Sequence, residues 1–221
     1  MAKRNTESAE ETADMREERS APSAAVIILA AGASTRMGRP KQLLTYGGQA
    51  LMRHAAEIAL ASVCRPILVV LGAHADQLRC QIDDLPVQQI INNQWAEGIG
   101  ASIRTGLHAL EQCNREGTTK TVVLMLCDQP FVTTALIDDL VRASRTTGKG
   151  IVASEYGGTV GVPALFRREY FPELATLSGD SGAKRIIAAH PGDVVGVPFS
   201  QGLTDIDTPE DYSHLQLTTR G

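Results

Sequence analysis

A short apolar run that turns into a loop of small residues is the feature that most constrains this chain. The run is Val26-Ile27-Ile28-Leu29, and the loop that follows it is Ala30-Ala31-Gly32-Ala33-Ser34-Thr35-Arg36-Met37-Gly38-Arg39-Pro40-Lys41. The apolar run predicts a buried strand that delivers the loop to one edge of a sheet. Glycines let the loop backbone approach a ligand closely, while Arg36 and Lys41 supply positive charge. Free loop amides next to these cations favour a polyphosphate ligand over a plain solvated turn.

The loop matches neither of the two common phosphate-binding loops. It lacks the Gly-x-x-x-x-Gly-Lys-Ser/Thr pattern of P-loop proteins, and its glycines do not fit the Gly-x-Gly-x-x-Gly of dinucleotide-binding turns. It does resemble the Leu-Ala-Ala-Gly-x-Ser-x-Arg-Met-Gly-x-x-Lys motif of nucleotidyltransferases related to molybdenum cofactor cytidylyltransferase. This motif is long enough to be specific.

Length and charge limit the class of protein. A chain of 221 residues suits one α/β domain. The net charge of -4 and the 4% aromatic content offer neither a basic surface nor stacking platforms, so we expect no nucleic-acid partner. Residues 1–23 are crowded with charges and are predicted to be a disordered tail before a domain over 24–221. The tail fits no signal or leader peptide and no run is long enough to span a bilayer, so we predict a cytoplasmic protein without a membrane partner.

Strand-like and helix-like segments alternate along the chain. Alternation of this kind predicts a mainly parallel sheet covered by helices on both faces. The predicted strands are Val26–Leu29, Ile67–Leu71, Val87–Ile91, Thr121–Leu126, Gly150–Ser154 and Val194–Val197, and the predicted helices include Leu51–Ala61, Ser102–Leu110, Thr134–Ser144 and Gly182–Ala189. The glycine-rich segment from residue 157 to 182 interrupts the pattern and is predicted to be a turn-rich insertion that faces the substrate.

Two acidic positions predict a metal site. Asp128 follows the strand that ends at Leu126, and Pro130 stops that strand from continuing. A strand-end aspartate more often forms a turn, but beside a nucleotide loop it can hold Mg²⁺ while the ion keeps waters and phosphate oxygens in its other positions. Asp207 is assigned to the same ion, and Asp205 points the same way if this segment is extended.

The residues after Asp207 predict the start of a helix. Thr208-Pro209 is typical of a helix cap followed by a first-turn proline, and Glu210 and Asp211 then lie in the first turn. These two later carboxylates are therefore assigned to the helix and not to the metal.

Further glycine-rich segments predict the rest of the site. Gly98 and Gly100 let backbone lie close to a flat ligand, and Ser102 is expected to hydrogen-bond a base. Trp95, the single tryptophan, is interpreted as a core or loop anchor outside the site. Two later loops are expected to close on an acceptor substrate. The predicted acceptor-binding residues are Gly158, Gly161, Pro163, Gly179, Asp180 and Gly182.

Cysteine, serine and histidine patterns favour no other chemistry. Cys64, Cys80, Cys113 and Cys127 are scattered, which argues against zinc and disulfides. Cys127 is interpreted as a small core residue and not as a thiol nucleophile. Ser181 has no partner pattern of a serine nucleophile, and the five histidines show no metal-ligand spacing.

Four sequence blocks occur together and extend the resemblance along nearly all of residues 24–215. They are Leu29–Lys41, Cys127–Pro130, Gly158–Pro163 leading into Gly179–Ala183, and Asp205–Pro209. Together they resemble the molybdenum cofactor cytidylyltransferase family. The resemblance implies a three-layer, Rossmann-like fold of the glycosyltransferase-A type. It also implies Mg²⁺-dependent transfer of a nucleotidyl group from a nucleoside triphosphate to a phosphorylated acceptor, with release of pyrophosphate.

The second alanine of the loop favours CTP. Guanylyl-type relatives usually carry Leu-Ala-Gly-Gly, whereas Leu29-Ala30-Ala31-Gly32 resembles the cytidylyl type. The resemblance favours a molybdopterin-type acceptor and a recipient molybdoenzyme or its chaperone as a protein partner. GTP and other phosphorylated acceptors remain alternatives. The residues assigned to the nucleotide are Leu29, Ala30, Ala31, Gly32, Ser34, Arg36, Gly38, Lys41 and Ser102.

The implied mechanism needs charge neutralisation more than proton transfer, because the attacking acceptor phosphate is already an anion. The predicted catalytic residues are Arg36 and Lys41 on the triphosphate, with Asp128 and Asp207 on the metal.

Two alternative functions come from other classes of protein. A nicotinamide oxidoreductase fits the parallel sheet but predicts a glycine pattern that is absent. A non-catalytic chaperone that binds a nucleotide or pterin fits everything except the paired metal ligands.

Overall fold

The structure is a computed structural model that describes residues 23–114 and 117–218. All of the predicted tail except Ser23 lies outside the described residues, so its disorder stays a prediction. Ser23 itself is the first residue of a strand.

Nine strands and seven helices make up the described part of the chain. The strands are β1 (Ser23–Ala30), β2 (Thr45–Tyr46), β3 (Gln49–Ala50), β4 (Ile67–Leu71), β5 (Gln88–Ile91), β6 (Thr119–Leu126), β7 (Ile151–Tyr156), β8 (Thr159–Arg167) and β9 (Val194–Pro198). The helices are α1 (Leu51–Ala61), α2 (Ala75–Arg79), α3 (Ile99–Cys113), α4 (Thr134–Thr147), α5 (Phe171–Leu174), α6 (Ala183–Ala189) and α7 (Pro209–Thr218).

The main sheet has seven strands in the order β5-β4-β1-β6-β8-β7-β9. β1 pairs in parallel with both β4 and β6, β4 with β5, and β7 with β9. β8 is antiparallel to both of its neighbours. This arrangement confirms the predicted mainly parallel sheet. β2 and β3 form a separate small antiparallel pair.

The prediction of a turn-rich insertion is wrong for its first part, because β8 is a central strand. Gly157 and Gly158 make the tight turn into it, and their φ angles of 56° and 75° are in the left-handed region that glycine tolerates. Beyond the turn, Leu165 packs into one core and Phe166 into the other. Burial on both sheet faces therefore selects a strand over a loop.

Each face of the sheet is covered by its own hydrophobic core, which gives three layers. In β1, Val26 and Ile28 belong to the same buried cluster as side chains of α1, α2 and α4, whereas Ile27 and Leu29 belong to a cluster with side chains of α3 and α6. This alternation follows from the two-residue period of a strand. It explains why the run is apolar at every position.

The α4 helix begins at a side-chain cap. Thr133 caps α4, where its side chain accepts a hydrogen bond from the Leu136 backbone N–H at 3.2 Å.

Within residues 23–114 and 117–218, no helix has the length and apolar character needed to cross a membrane.

The α3 helix packs closely against the sheet at Gly106. A Cβ atom placed there would lie 2.7 Å from Cγ2 of Ile27 and 3.0 Å from Cγ2 of Val70, and both of these side chains are fully buried. We expect Gly106→Val to lower the free energy of unfolding by about 1–3 kcal/mol through overpacking. Gly192→Val is the matched control, because nothing lies within 4 Å of a Cβ at that position. Urea unfolding of both variants tests this, and equal losses would contradict close packing at Gly106.

Candidate functional site

The loop after β1 is held in place by a buried glutamine that sequence reasoning did not assign. Gln42 is 1% exposed, and its Nε2 donates to the carbonyl oxygens of Ala30 at 3.1 Å and Gly32 at 2.8 Å. Its Oε1 accepts from the Ser34 hydroxyl at 3.2 Å. The only sequence signal was its position beside Lys41. Gln42 therefore supplies hydrogen-bond donors to two backbone carbonyl groups at the start of the loop.

Ser34 shapes the loop from inside. It has a φ of 54°, and its Oγ accepts from the Lys41 backbone N–H at 3.1 Å. Gly38 has a φ of 70°, which favours glycine. Both residues were assigned to the nucleotide. Their contacts in the structure set the path of the loop, and a direct nucleotide contact stays a prediction.

The four predicted catalytic residues lie together as one charged cluster. Lys41 Nζ donates to Asp207 Oδ1 at 2.9 Å and also to Asp128 Oδ2. Arg36 Nη2 contacts Asp207 Oδ2 at 2.8 Å. The side chain of Arg36 is 72% exposed, whereas those of Lys41 and Asp128 are 18% and 7% exposed. The cluster thus has the partly buried Lys41 at its centre and the exposed Arg36 at its rim.

Electrostatics favours the charged forms in this cluster. Burial works against the Lys41 ammonium, but the carboxylates of Asp128 and Asp207 outweigh it and raise the lysine pKa above its ordinary value. The hydrogen bond from Lys41 lowers the pKa of Asp207. Lys41 is therefore a fixed positive charge under all physiological conditions.

The acidic residues of the cluster fit a divalent cation that keeps most of its own ligands. Asp128 Oδ1 is buried and has no hydrogen-bond partner among the described residues. An unpaired buried carboxylate oxygen is costly unless something positive approaches it. The described residues contain no group of three or more His, Cys, Asp or Glu suited to a metal. Two carboxylates suit Mg²⁺ or a similar ion better than a metal that needs a closed protein cage.

The neighbours of Asp207 have structural roles. Asp205 Oδ1 accepts from Gln129 Nε2 at 3.0 Å, and burial together with the nearby Asp128 raises the pKa of Asp205. Asp211 Oδ2 accepts from the backbone N–H groups of Thr208 at 2.8 Å and Asp207 at 3.1 Å. Thr208 Oγ1 in turn accepts from the Asp211 N–H at 3.2 Å. This reciprocal cap confirms the predicted start of α7 and fixes the backbone of Asp207.

A cavity of about 510 Å³ opens beside the cluster. One wall carries Arg36, Lys41 and Asp128. The other wall comes from the end of β1 and the segment before and within α3, and Asp180 adds a carboxylate to it near Gly98. The predicted nucleotide residues that line it are Leu29, Ala30, Ala31, Gly32, Arg36, Lys41 and Ser102. Trp95 is 36% exposed and lines the same cavity, contrary to the interpretation of it as an anchor outside the site.

The predicted acceptor residues fall into two groups. Asp180 lines the cavity, and the Gly179 carbonyl accepts from the Gly100 N–H at 3.1 Å, which joins that loop to the start of α3. The remaining four, Gly158, Gly161, Pro163 and Gly182, do not line it. They belong to the β7–β8 turn, to β8 and to the cap of α6. Their role toward an acceptor stays a prediction.

Cys127 does not provide a reactive thiol. It is buried, and desolvation raises its pKa to about 12.

A second and larger cavity, of about 720 Å³, lies between β9 and α6 and is lined by Lys184 and Arg185. It contains none of the predicted catalytic residues. Chemistry is therefore expected at the charged cluster.

Comparisons with known proteins show which family the chain is similar to. The model of the MobA-like NTP transferase domain matches residues 26–194. The nicotine blue oxidoreductase of Paenarthrobacter nicotinovorans is 31% identical over 201 residues, which covers 86% of this chain and 94% of that protein.

Solved structures share the fold. Rv0371c from Mycobacterium tuberculosis H37Rv is 28% identical with a TM-score of 0.76, over 88% of this chain and 97% of that one. The same protein has also been solved in complex with manganese, with a TM-score of 0.72. Molybdopterin-guanine dinucleotide biosynthesis protein A from Archaeoglobus fulgidus is 19% identical with a TM-score of 0.64, over 89% of this chain and 100% of that one, which shows the fold alone.

These likenesses confirm the expected family and the α/β nucleotidyltransferase fold. The family model covers more than half of the chain, and it includes both the loop after β1 and Asp128. The chain therefore belongs to the MobA-like NTP transferase domain family.

Proposed function

We propose that this protein is a Mg²⁺-dependent cytidylyltransferase that moves CMP from CTP to the phosphate of a molybdopterin-type acceptor and releases pyrophosphate. The observation that carries the proposal is the contact of one partly buried lysine with two carboxylates from distant parts of the chain, at the wall of a cavity that the loop after β1 helps to form. A merely structural ion pair needs neither the cavity nor the unpaired oxygen of Asp128.

The reaction forms a bond between an acceptor phosphate oxygen and the α-phosphorus of CTP. The bond from the α-phosphorus to the bridging oxygen of the β-phosphate breaks, and pyrophosphate leaves on the opposite side. No protein base is required. Lys41 and Arg36 donate to phosphate oxygens, and their N–H groups exchange carboxylate partners for phosphate partners when the triphosphate binds. Their work is positioning and neutralisation of charge.

Asp128 and Asp207 are the residues that would hold the metal. A divalent cation neutralises the phosphates and lowers the cost of charge development during transfer. The unpaired Asp128 Oδ1 supports a ligand role for that carboxylate. The manganese complex of Rv0371c, a protein 27% identical to this chain in that structure, supports a divalent cation in this part of the family.

The acceptor class is supported by the motif blocks and by the fold. The blocks at Leu29–Lys41, Cys127–Pro130 and Asp205–Pro209 resemble those of molybdenum cofactor cytidylyltransferases. The protein from Archaeoglobus fulgidus with the same fold is named for molybdopterin-guanine dinucleotide biosynthesis. A recipient molybdoenzyme or its chaperone is the protein partner that would take the product.

The name of one relative favours a second candidate, an oxidoreductase acting on a small aromatic substrate. That relative is called nicotine blue oxidoreductase and is similar along nearly its whole length. The same cavity would then hold a nicotinamide dinucleotide, with its pyrophosphate at Arg36 and Lys41. The two candidates differ in product. Pyrophosphate release from CTP with molybdenum cofactor supports transfer, whereas oxidation of NADH or NADPH without pyrophosphate release supports the oxidoreductase.

Removal of either cluster carboxylate should abolish turnover while leaving the fold intact. We expect Asp128→Ala and Asp207→Ala each to lower kcat by about 10²–10⁵, since each removes part of an electrostatic clamp on the phosphates. Pyrophosphate release at saturating Mg²⁺ measures this, and circular dichroism checks the fold.

Asp139→Ala is the matched control for these variants. Asp139 has a partly exposed side chain on α4, and its carboxylate pairs with Arg142 of the same helix. Asp211 is unsuitable as a control because its carboxylate accepts from the Asp207 backbone. Full activity of Asp128→Ala would refute the metal assignment.

The nucleotide preference should depend on Ala31. This residue is buried and is one of those that line the cavity, so its methyl group is expected to leave less room for a purine than glycine would. We expect CTP to exceed GTP in initial rate at equal concentration, and Ala31→Gly to narrow the difference. Rates with both nucleotides measure this. Faster transfer from GTP by the unmodified protein would replace the cytidylyl assignment with a guanylyl one.

A further inference from the structure

Asn92, a residue that sequence reasoning did not place in any site, holds the hydroxyl of Ser102. Asn92 directly follows β5, and Ser102 lies in the first turn of α3. The Nδ2 atom of Asn92 donates to Ser102 Oγ at 3.1 Å. Both residues are buried, with exposures of 1% and 3%. The contact is therefore shielded from competition by water.

The orientation of the Asn92 amide is fixed by a second contact. Its Oδ1 accepts from the Gln94 backbone N–H at 2.9 Å. A backbone N–H can only donate, so the oxygen of the amide must face it and the nitrogen must face Ser102. The backbone thereby removes the usual ambiguity between the two ends of an amide side chain.

This orientation leaves the Ser102 proton free. Because Ser102 Oγ accepts from Asn92, its own O–H must donate in another direction. In the described part of the chain, the hydrogen bonds of Ser102 Oγ include no acceptor for that proton. Ser102 also lines the cavity next to Gly98 and Trp95. The hydroxyl is thus a donor that a ligand in the cavity can use.

We propose that Asn92 is a positioning residue that makes Ser102 a hydrogen-bond donor to the nucleobase, and so selects a base edge rich in acceptors. The inference rests on the proposed function in one respect, that a nucleoside triphosphate fills this cavity. Its phosphates go to the wall that carries Arg36 and Lys41, and its base goes to the wall that carries Ser102, where, among the described residues, Asp180 near Gly98 is the one charged lining residue. On its Watson–Crick edge cytosine presents two acceptors, N3 and O2, and one donor, the N4 amino group. The same edge of guanine presents one acceptor, O6, and two donors, N1–H and N2–H, so a fixed donor finds more acceptors on cytosine.

Reversal of the hydrogen bond between residues 92 and 102 is the sharpest test. In Asn92→Asp, one carboxylate oxygen still accepts from Gln94, and the other replaces Nδ2 and accepts the Ser102 proton. The hydroxyl can then only accept from a base. We expect the ratio of the Kd for GTP to the Kd for CTP to fall by about 3- to 10-fold relative to the unmodified protein, the range of one net hydrogen bond.

The ratio of the two Kd values reports the direction of the Ser102 hydrogen bond and is insensitive to the added charge. An added carboxylate repels both triphosphates alike, so its effect cancels in the ratio. In a Ser102→Ala background, Asn92→Asp should leave the ratio unchanged, because no hydroxyl remains to be reoriented. Asn92→Ala is a second variant without a buried charge. It frees the hydroxyl to donate or accept, and its ratio should lie between those of the unmodified protein and Asn92→Asp.

Binding is measured with Mg²⁺ and without acceptor, through the fluorescence of Trp95, which is the single tryptophan and lines the cavity. An unchanged ratio in both Asn92 variants, a shift that persists in the Ser102→Ala background, or binding of neither nucleotide overturns the inference. A shifted ratio in a protein that releases no pyrophosphate with any acceptor supports the role of Asn92 and refutes the transfer reaction. The two proposals are therefore tested separately.

Discussion

The contact of the Lys41 ammonium with two carboxylates is the interaction on which the site depends. Lys41 is 87 residues from Asp128 and 166 residues from Asp207 along the chain. The backbone supports the same convergence, since the Ile206 N–H donates to the Asp128 carbonyl at 3.1 Å. Each charge would be costly to bury alone, and the cations Arg36 and Lys41 together balance the two carboxylates. Under the proposed function, a metal-bound triphosphate would bring both the negative charges and the cation that replace these pairings.

The parallel sheet explains why these segments meet. β1 and β6 pair in register, with Leu29 opposite Leu126, so the loop after β1 and the turn at Asp128 leave the sheet side by side. β4 lies on the other side of β1, and the Ala73 N–H after it donates to the Ala31 carbonyl at 3.1 Å. Ligands of open α/β sheets bind at such carboxyl ends. The position of the site is thus a consequence of strand order.

Local patterns predicted the strand before the loop, the loop itself, Asp128 and the cap of α7, because each depends on residues close in sequence. β8 was missed because Gly161 and Pro163 resemble turn residues, and only burial between β6 and β7 makes the segment a strand. Gln42 and Asn92 were missed for a different reason. Their role is to satisfy a particular carbonyl, N–H or hydroxyl, and the partner is known only once the chain has folded.

The two walls of the cavity suit different parts of a nucleotide ligand. Phosphate oxygens are the same in every nucleoside triphosphate and dinucleotide, so Arg36 and Lys41 cannot by themselves distinguish one such ligand from another. Under the proposed function, the wall with Ser102 and Trp95 would face the part of the ligand that varies. Proteins that share this fold can keep the first wall and alter the second, and those similar to this chain carry names as different as an oxidoreductase and a molybdopterin-guanine dinucleotide biosynthesis protein. Substrate differences should therefore be sought at the wall with Ser102 and its buried supports, not in the charged cluster.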